Sequence, residues 1–165
     1  AQMFDRHFLT YFIMTVQHTR DHWAPHASDK VKPTAENIQI MLREKDEAVE
    51  MANGLREWLK PEELGVNAEI EKYLHFVIDC YGVYAEIFRQ QIMTSAYLKC
   101  AEDDHNMEAL ESAASTLAAY DALAQRLAEV VHGKGYSNNV EYVMDPERVL
   151  RFKRDCGQII ENLKQ

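Results

Sequence analysis

Three histidines recur at four-residue steps, His18, His22 and His26, with Asp21 among them. On a helix, positions i and i+4 place two imidazoles on one face, which is how helical metal sites are built. Pro25 interrupts the helix before His26, so only His18 and His22 are expected to share a face. These residues are the candidate ligands for a transition metal. With no third ligand placed by spacing, the preferred reading is the wet end of an apolar stripe, and the expectation is a chain without a cofactor.

Two Glu-x-x-His pairs also stand out, Glu102 with His105 and Glu129 with His132. Paired motifs of this kind hold di-metal centres in ferritin-like bundles. Here they fall at the ends of two successive helices. In antiparallel neighbours they would lie about 35 to 40 Å apart, too far to share an ion. Gly133-Lys134-Gly135 follows a helix rather than a strand, so it predicts a helix stop and not a phosphate loop. No His-Glu-x-x-His, no Gly-x-Ser-x-Gly and no cysteine–histidine pair points to a hydrolase or transferase centre.

Tyr73, Tyr81, Tyr84 and Tyr97 share one predicted helix. Their spacing matches its apolar stripe, which predicts core positions, with a groove for a sugar or aromatic ligand as the alternative. Phe8, Phe12, Trp23, Tyr136 and Tyr142 are the candidate partner contacts. The first two belong to an over-apolar helix and the other three fall in or near links.

Five helices are expected to position these groups, and no strand pattern competes with them. The first covers about 4–23, carries apolar residues almost all round, and is predicted to be buried or to sit in an interface. The second runs from Thr34 to Leu59 with the stripe Ile38, Met41, Leu42, Ala48, Ala52, Leu55 and Leu59, and Gly65 is the expected left-handed cap in the link that follows. The third, Ala68 to Ala101, is capped by Asn67 and carries two neighbouring apolar stripes, so it should touch partners on two sides. The fourth covers Asn106 to His132. The last begins at Asp145-Pro146 and shows the stripe Val149, Phe152, Cys156, Ile159, Ile160 and Leu163. Short links favour antiparallel neighbours. The expected fold is all-α: one domain over 1–165, an up-and-down antiparallel bundle of four long helices over 34–163 with the N-terminal helix, 1–24, packed on it.

Composition agrees with long helices. Six glycines and four prolines in 165 residues are few, and the apolar share of 47 % can build a core. The net charge of −9 disfavours nucleic acid, with no cluster of bases read as compensating it. No apolar run is long enough to span a membrane. Cys80, Cys100 and Cys156 are an odd, widely spaced set and are expected to be small buried hydrophobes. The opening Ala1-Gln2 in place of Met suggests a processed or excised chain. The apolar run 8–16 lacks the basic flank and cleavage site of a signal peptide.

The helix EKYLHFVIDCYGVYAEIFRQQIMTSAYLKCAED and the alanine-rich helix MEALESAASTLAAYDALAQRLAEVV, joined by a short polar break, resemble the helical bundle domain that follows the catalytic barrel in some bacterial glycoside hydrolases. That resemblance covers about 34–131. It implies an accessory role, packing on a catalytic domain or bridging to a neighbour, and transfers no catalytic residue. Three readings therefore stand. The first is a non-catalytic module, a domain or subunit of a larger enzyme, acting by contact with a protein partner or by self-association. The second is a metal-binding bundle using His18 and His22, and the third a small-ligand binder.

Overall fold

The computed structural model describes residues 35–133 and 145–165, and every regular element among them is a helix. Helix α1 (Ala35–Leu59) is followed by a single 3-10 turn, Pro61–Glu63. Then come α2 (Ala68–Asp104), α3 (Met107–Thr116), a second 3-10 turn (Leu117–Ala119), α4 (Tyr120–Gly133) and α5 (Pro146–Leu163). The chain is all-α, as its periodicity predicts. The expected N-terminal helix, with Phe8, Phe12, His18, His22, Trp23 and His26, lies outside the described residues, as do Tyr136 and Tyr142.

The helix starts follow the local chemistry. Asn67 Oδ1 accepts the N–H of Ile70 at 3.0 Å, Asn106 Oδ1 that of Ala109 at 3.1 Å, and Asp145 Oδ1 that of Glu147 at 2.9 Å, with Pro146 at the first helical position. The stops differ from expectation. Lys60, not Gly65, is the left-handed residue that directly follows α1, at φ 41°, because Pro61 cannot extend a helix. Gly65, at φ 65°, turns the chain only after the 3-10 turn. Helix α2 runs on to Asp104 and ends at His105, itself left-handed at φ 50°, whose N–H donates to the Ala101 carbonyl.

The helix expected over 106–132 is interrupted at Leu117–Ala119. Tightening to the 3-10 pattern sends the Leu117 N–H to the Ala114 carbonyl and the Tyr120 N–H to that of Leu117. The carbonyls of Ala113 and Thr116 are thereby freed, and both lie where a lost partner is expensive. Side chains take them up. Thr116 Oγ1 donates to the Ala113 carbonyl at 2.6 Å, and Gln90 Nε2 on α2 donates to the Thr116 carbonyl at 2.6 Å. Thr94 Oγ1 sits between Thr116 Oγ1, at 2.6 Å, and the Tyr120 hydroxyl, at 2.9 Å. Burial first, and the nearby Cys156 thiol second, push the Tyr120 phenol well above its ordinary range, against the opposing bond from Thr94. Thr94 Oγ1 itself donates to the Gln90 carbonyl, at 2.9 Å, and Thr116 Oγ1 to that of Ala113, so Thr94 is tied to three partners, Gln90, Thr116 and Tyr120.

Around this polar pinch the pairs α1–α2 and α2–α4 run antiparallel. On α1 and α2, Arg89 pairs with Asp46 and Arg56 with Asp79, so ten residues forward on one helix are ten back on the other. Between α2 and α4, Glu86 pairs with Arg126 while Thr94 meets Tyr120. Between α4 and α5, Asp121 Oδ2 accepts from Lys153 Nζ at 2.6 Å and the Tyr120 ring packs on Phe152 with centroids 5.7 Å apart. The main core joins Val83, Ile87 and Leu98 of α2 to Ala113, Leu127 and Val131 and to Val149, Phe152, Cys156 and Ile160 of α5. A smaller core sets Ile38 and Met41 of α1 on Ile92 and Ala96 of α2. The rest of the α1 stripe is half-buried, and Ala48, expected to be inside, is exposed.

Thr94→Val removes the hydroxyl that links three partners while keeping its volume. It should destabilise the protein by about 1–3 kcal/mol in urea unfolding, and Thr94→Ser by well under half of that. Stability should also fall as pH rises past about 10, because the unfolded Tyr120 releases a proton there that the folded phenol holds. In Tyr120→Phe that part of the alkaline loss should be absent.

Candidate functional site

Two surfaces flank the α1–α2 hairpin. On one side a cleft of about 230 Å³ is lined by Ala52, Asn53 and Arg56 of α1, by Ile78, Asp79, Gly82 and Val83 of α2, and by Arg126, Glu129 and Val130 of α4. Its floor is apolar and its walls carry both signs of charge. Each arginine already serves a carboxylate, Arg56 that of Asp79 and Arg126 that of Glu86. Glu129 accepts from Gln125 Nε2 at 3.0 Å. Both arginines of the cleft are thus neutralised, and with the Glu129 carboxylate beside them it offers no surplus positive charge to a phosphate or a carboxylate. Gly82 brings the helices together here, since a Cβ on it would stand 3.1 Å from Asn53 Oδ1.

The other side is apolar. Of the nine large hydrophobic side chains exposed among the described residues, seven fall between 51 and 81, which concentrates them on one hairpin. Met51 and Trp58 lie seven residues apart on α1 and are 75 % and 79 % exposed. Ile70, Tyr73 and Tyr81 follow helical spacing on α2, with Tyr73 and Tyr81 more than half exposed. At about 100° per residue these positions point away from the cleft-lining Asn53, Arg56, Asp79 and Gly82. Leu64 and Val66 continue the exposed surface through the link.

This arrangement changes the reading of the tyrosines. Tyr84 stacks on Phe88 with centroids 5.9 Å apart, and both, with Tyr97, pack against the main core as expected. Tyr73 and Tyr81 stand outside it.

Where α1 turns into α2, a cluster of charged groups closes the hairpin. Arg56 Nη1 lies 2.7 Å from His75 Nδ1, and its other terminal nitrogen bonds Asp79. Arginine has only donors, so His75 Nδ1 is the acceptor, and the neutral ring carries its proton on Nε2. That nitrogen faces Glu62 at 3.8 Å and Glu71 at 3.9 Å. A histidine beside two carboxylates is the beginning of a metal site. A protonated Nε2, however, is a donor and cannot also ligate an ion. Among the described residues no His, Cys, Asp and Glu groups gather to hold a metal.

The sequence signals for chemistry are placed elsewhere. His105 and His132, from the two Glu-x-x-His pairs, are both exposed, one closing α2 and the other in the last turn of α4. Cys80 and Cys156 are buried. Cys100 is half-buried, with its thiol pushed up by burial and by Asp104. The candidate ligands His18, His22 and His26 lie outside the described residues. Charge reading passed over a run of bases on α5, Arg148, Arg151, Lys153 and Arg154. Three of them are answered by acids, Arg148 by Asp145 at 4.0 Å, Lys153 by Asp121 and Arg154 by Glu147 at 3.6 Å. The Arg56–His75–Asp79 cluster had no signal in sequence beyond helical i, i+4 spacing. No helix among the described residues is long and apolar enough to cross a membrane.

Gly82→Ala tests how the cleft is closed. Asn53 is exposed and can swing aside, so the helix-propensity gain of up to about 1 kcal/mol should win, and the melting temperature should rise slightly. Comparison with known protein families, with curated proteins and with solved structures finds no match to this chain.

Proposed function

We propose that this chain is a helical interaction module that acts through the apolar side of the α1–α2 hairpin. One observation carries the proposal, the concentration of large exposed apolar side chains, Met51, Trp58, Ile70, Tyr73 and Tyr81 among them, on one hairpin. Scattered apolar side chains are ordinary on a protein surface, but a concentration rich in Trp, Tyr and Met has the composition of a contact surface. Trp and Tyr bury a large area for few rotatable bonds, which suits them as anchors. The likeness of α2 and the following helices to a post-catalytic enzyme domain fits the same reading, with a catalytic neighbour as one class of partner.

Sedimentation velocity over about a hundredfold concentration range tests the face directly. The expected result is mass that rises with concentration, a rise that is lost in Trp58→Ser/Tyr73→Ser. Because both side chains are exposed, that variant should unfold within about 0.5 kcal/mol of the parent. A chain that stays monomeric throughout and binds no hydrophobic dye would overturn the proposal.

A further inference from the structure

The hairpin turn holds a group whose partners depend on one proton. We propose that His75 is a proton-driven latch between α1 and the turn. It stands on the geometry of this cluster and holds whether or not the apolar face docks a partner.

Four charged groups face the ring or its partner. Arg56 comes from α1, Glu62 from the 3-10 turn, and Glu71 and Asp79 from α2 itself. Lys60, also at the turn, is taken by Glu63 at 2.9 Å. With the imidazole neutral, Nδ1 accepts from Arg56, and this bond ties the last turn of α1 to α2. Glu62 and Glu71 then face only the polar N–H on Nε2. When the ring takes up a proton, it is bound at Nδ1, the one free lone pair. Two donors now oppose each other at 2.7 Å, and neither has an acceptor. Arg56 leaves the ring and keeps Asp79 alone. The cationic ring turns its charge to Glu62 and Glu71, which draws the 3-10 turn onto α2. The proton exchanges a tie between α1 and α2 for one between the turn and α2. Trp58 and Leu64 of the apolar face lie within two residues of Arg56 and Glu62 respectively, so the exchange acts at its edge.

Nitrogen-detected NMR of the whole chain, titrated from about pH 8 to about pH 5, reads both halves of the exchange. At the alkaline end His75 should be the Nε2–H tautomer, in at least about tenfold excess over the other form. As the ring is protonated, the Arg56 side-chain N–H groups should exchange about tenfold faster relative to a free arginine side chain at the same pH. In His75→Asn, whose amide oxygen can accept from Arg56 but takes no proton, that acceleration should vanish. His105→Asn should leave it unchanged. A neutral His75 with its proton on Nδ1, Arg56 exchange that ignores the titration, or acceleration that persists in His75→Asn would each overturn the latch. The first two readings come from the unmodified chain and hold even if the variant is unstable.

Discussion

The structure depends on the contact at which α2 closes the break between α3 and α4. Releasing the Ala113 and Thr116 carbonyls inside a core would leave two orphan acceptors, each a loss of about 1–3 kcal/mol. Gln90 and Thr116 remove that penalty, and Thr94 and Tyr120 extend them into a chain of hydrogen bonds. Such a chain is specific in a way that Leu or Ala contacts are not. Sliding α2 by one residue against α3 and α4 would break the three bonds that cross between them, Gln90 to Thr116 and Thr94 to Thr116 and to Tyr120. The polar pinch therefore sets the register, and the apolar side chains around it supply the bulk of the burial.

Helix α2 is buried on two sides, but its two partners hold it differently. Toward α3, α4 and α5 it presents Val83, Ile87, Leu98 and the polar pinch, all well buried. Toward α1 it offers a core of four residues, Ile38, Met41, Ile92 and Ala96, at one end. Beyond that come exposed ion pairs and the Lys45 ammonium 5.1 Å over the Phe88 ring. Surface pairs of this kind contribute under about 1 kcal/mol each. The far end of the hairpin is where the exposed apolar side chains and the His75 cluster coincide. A contact surface placed there can adjust to a partner without disturbing the main core.

Caps and stripes were legible because they are local. Asn67 and Asp145 cap as their types and positions predict, and of the α5 stripe Val149, Phe152, Cys156 and Ile160 are buried while Ile159 and Leu163 are half-buried. Lys60 was missed as a stop because its left-handed turn is imposed by the proline after it rather than by its own preference. The 3-10 break was invisible for a deeper reason. The segment LESAASTLAAYDALA has no glycine or proline, and nothing in its propensity interrupts a helix. Gln90, more than twenty residues away, makes the interruption tolerable.

What the sequence determined by itself is the all-α class, the helix boundaries to within a few residues and the inward face of most helices. Period, capping chemistry and helix breakers act over a few neighbouring residues and are written in order along the chain. Only the tertiary structure decided which apolar residues stay outside. Tyr73 and Tyr81 have the same spacing as Tyr84 and Phe88, yet only the latter two pack against the main core. The same holds for the Arg56–His75–Asp79 cluster, whose members belong to two helices and meet only because an antiparallel register brings them level. Burial and pairing are properties of neighbours in space, and periodicity carries no record of where another helix ends.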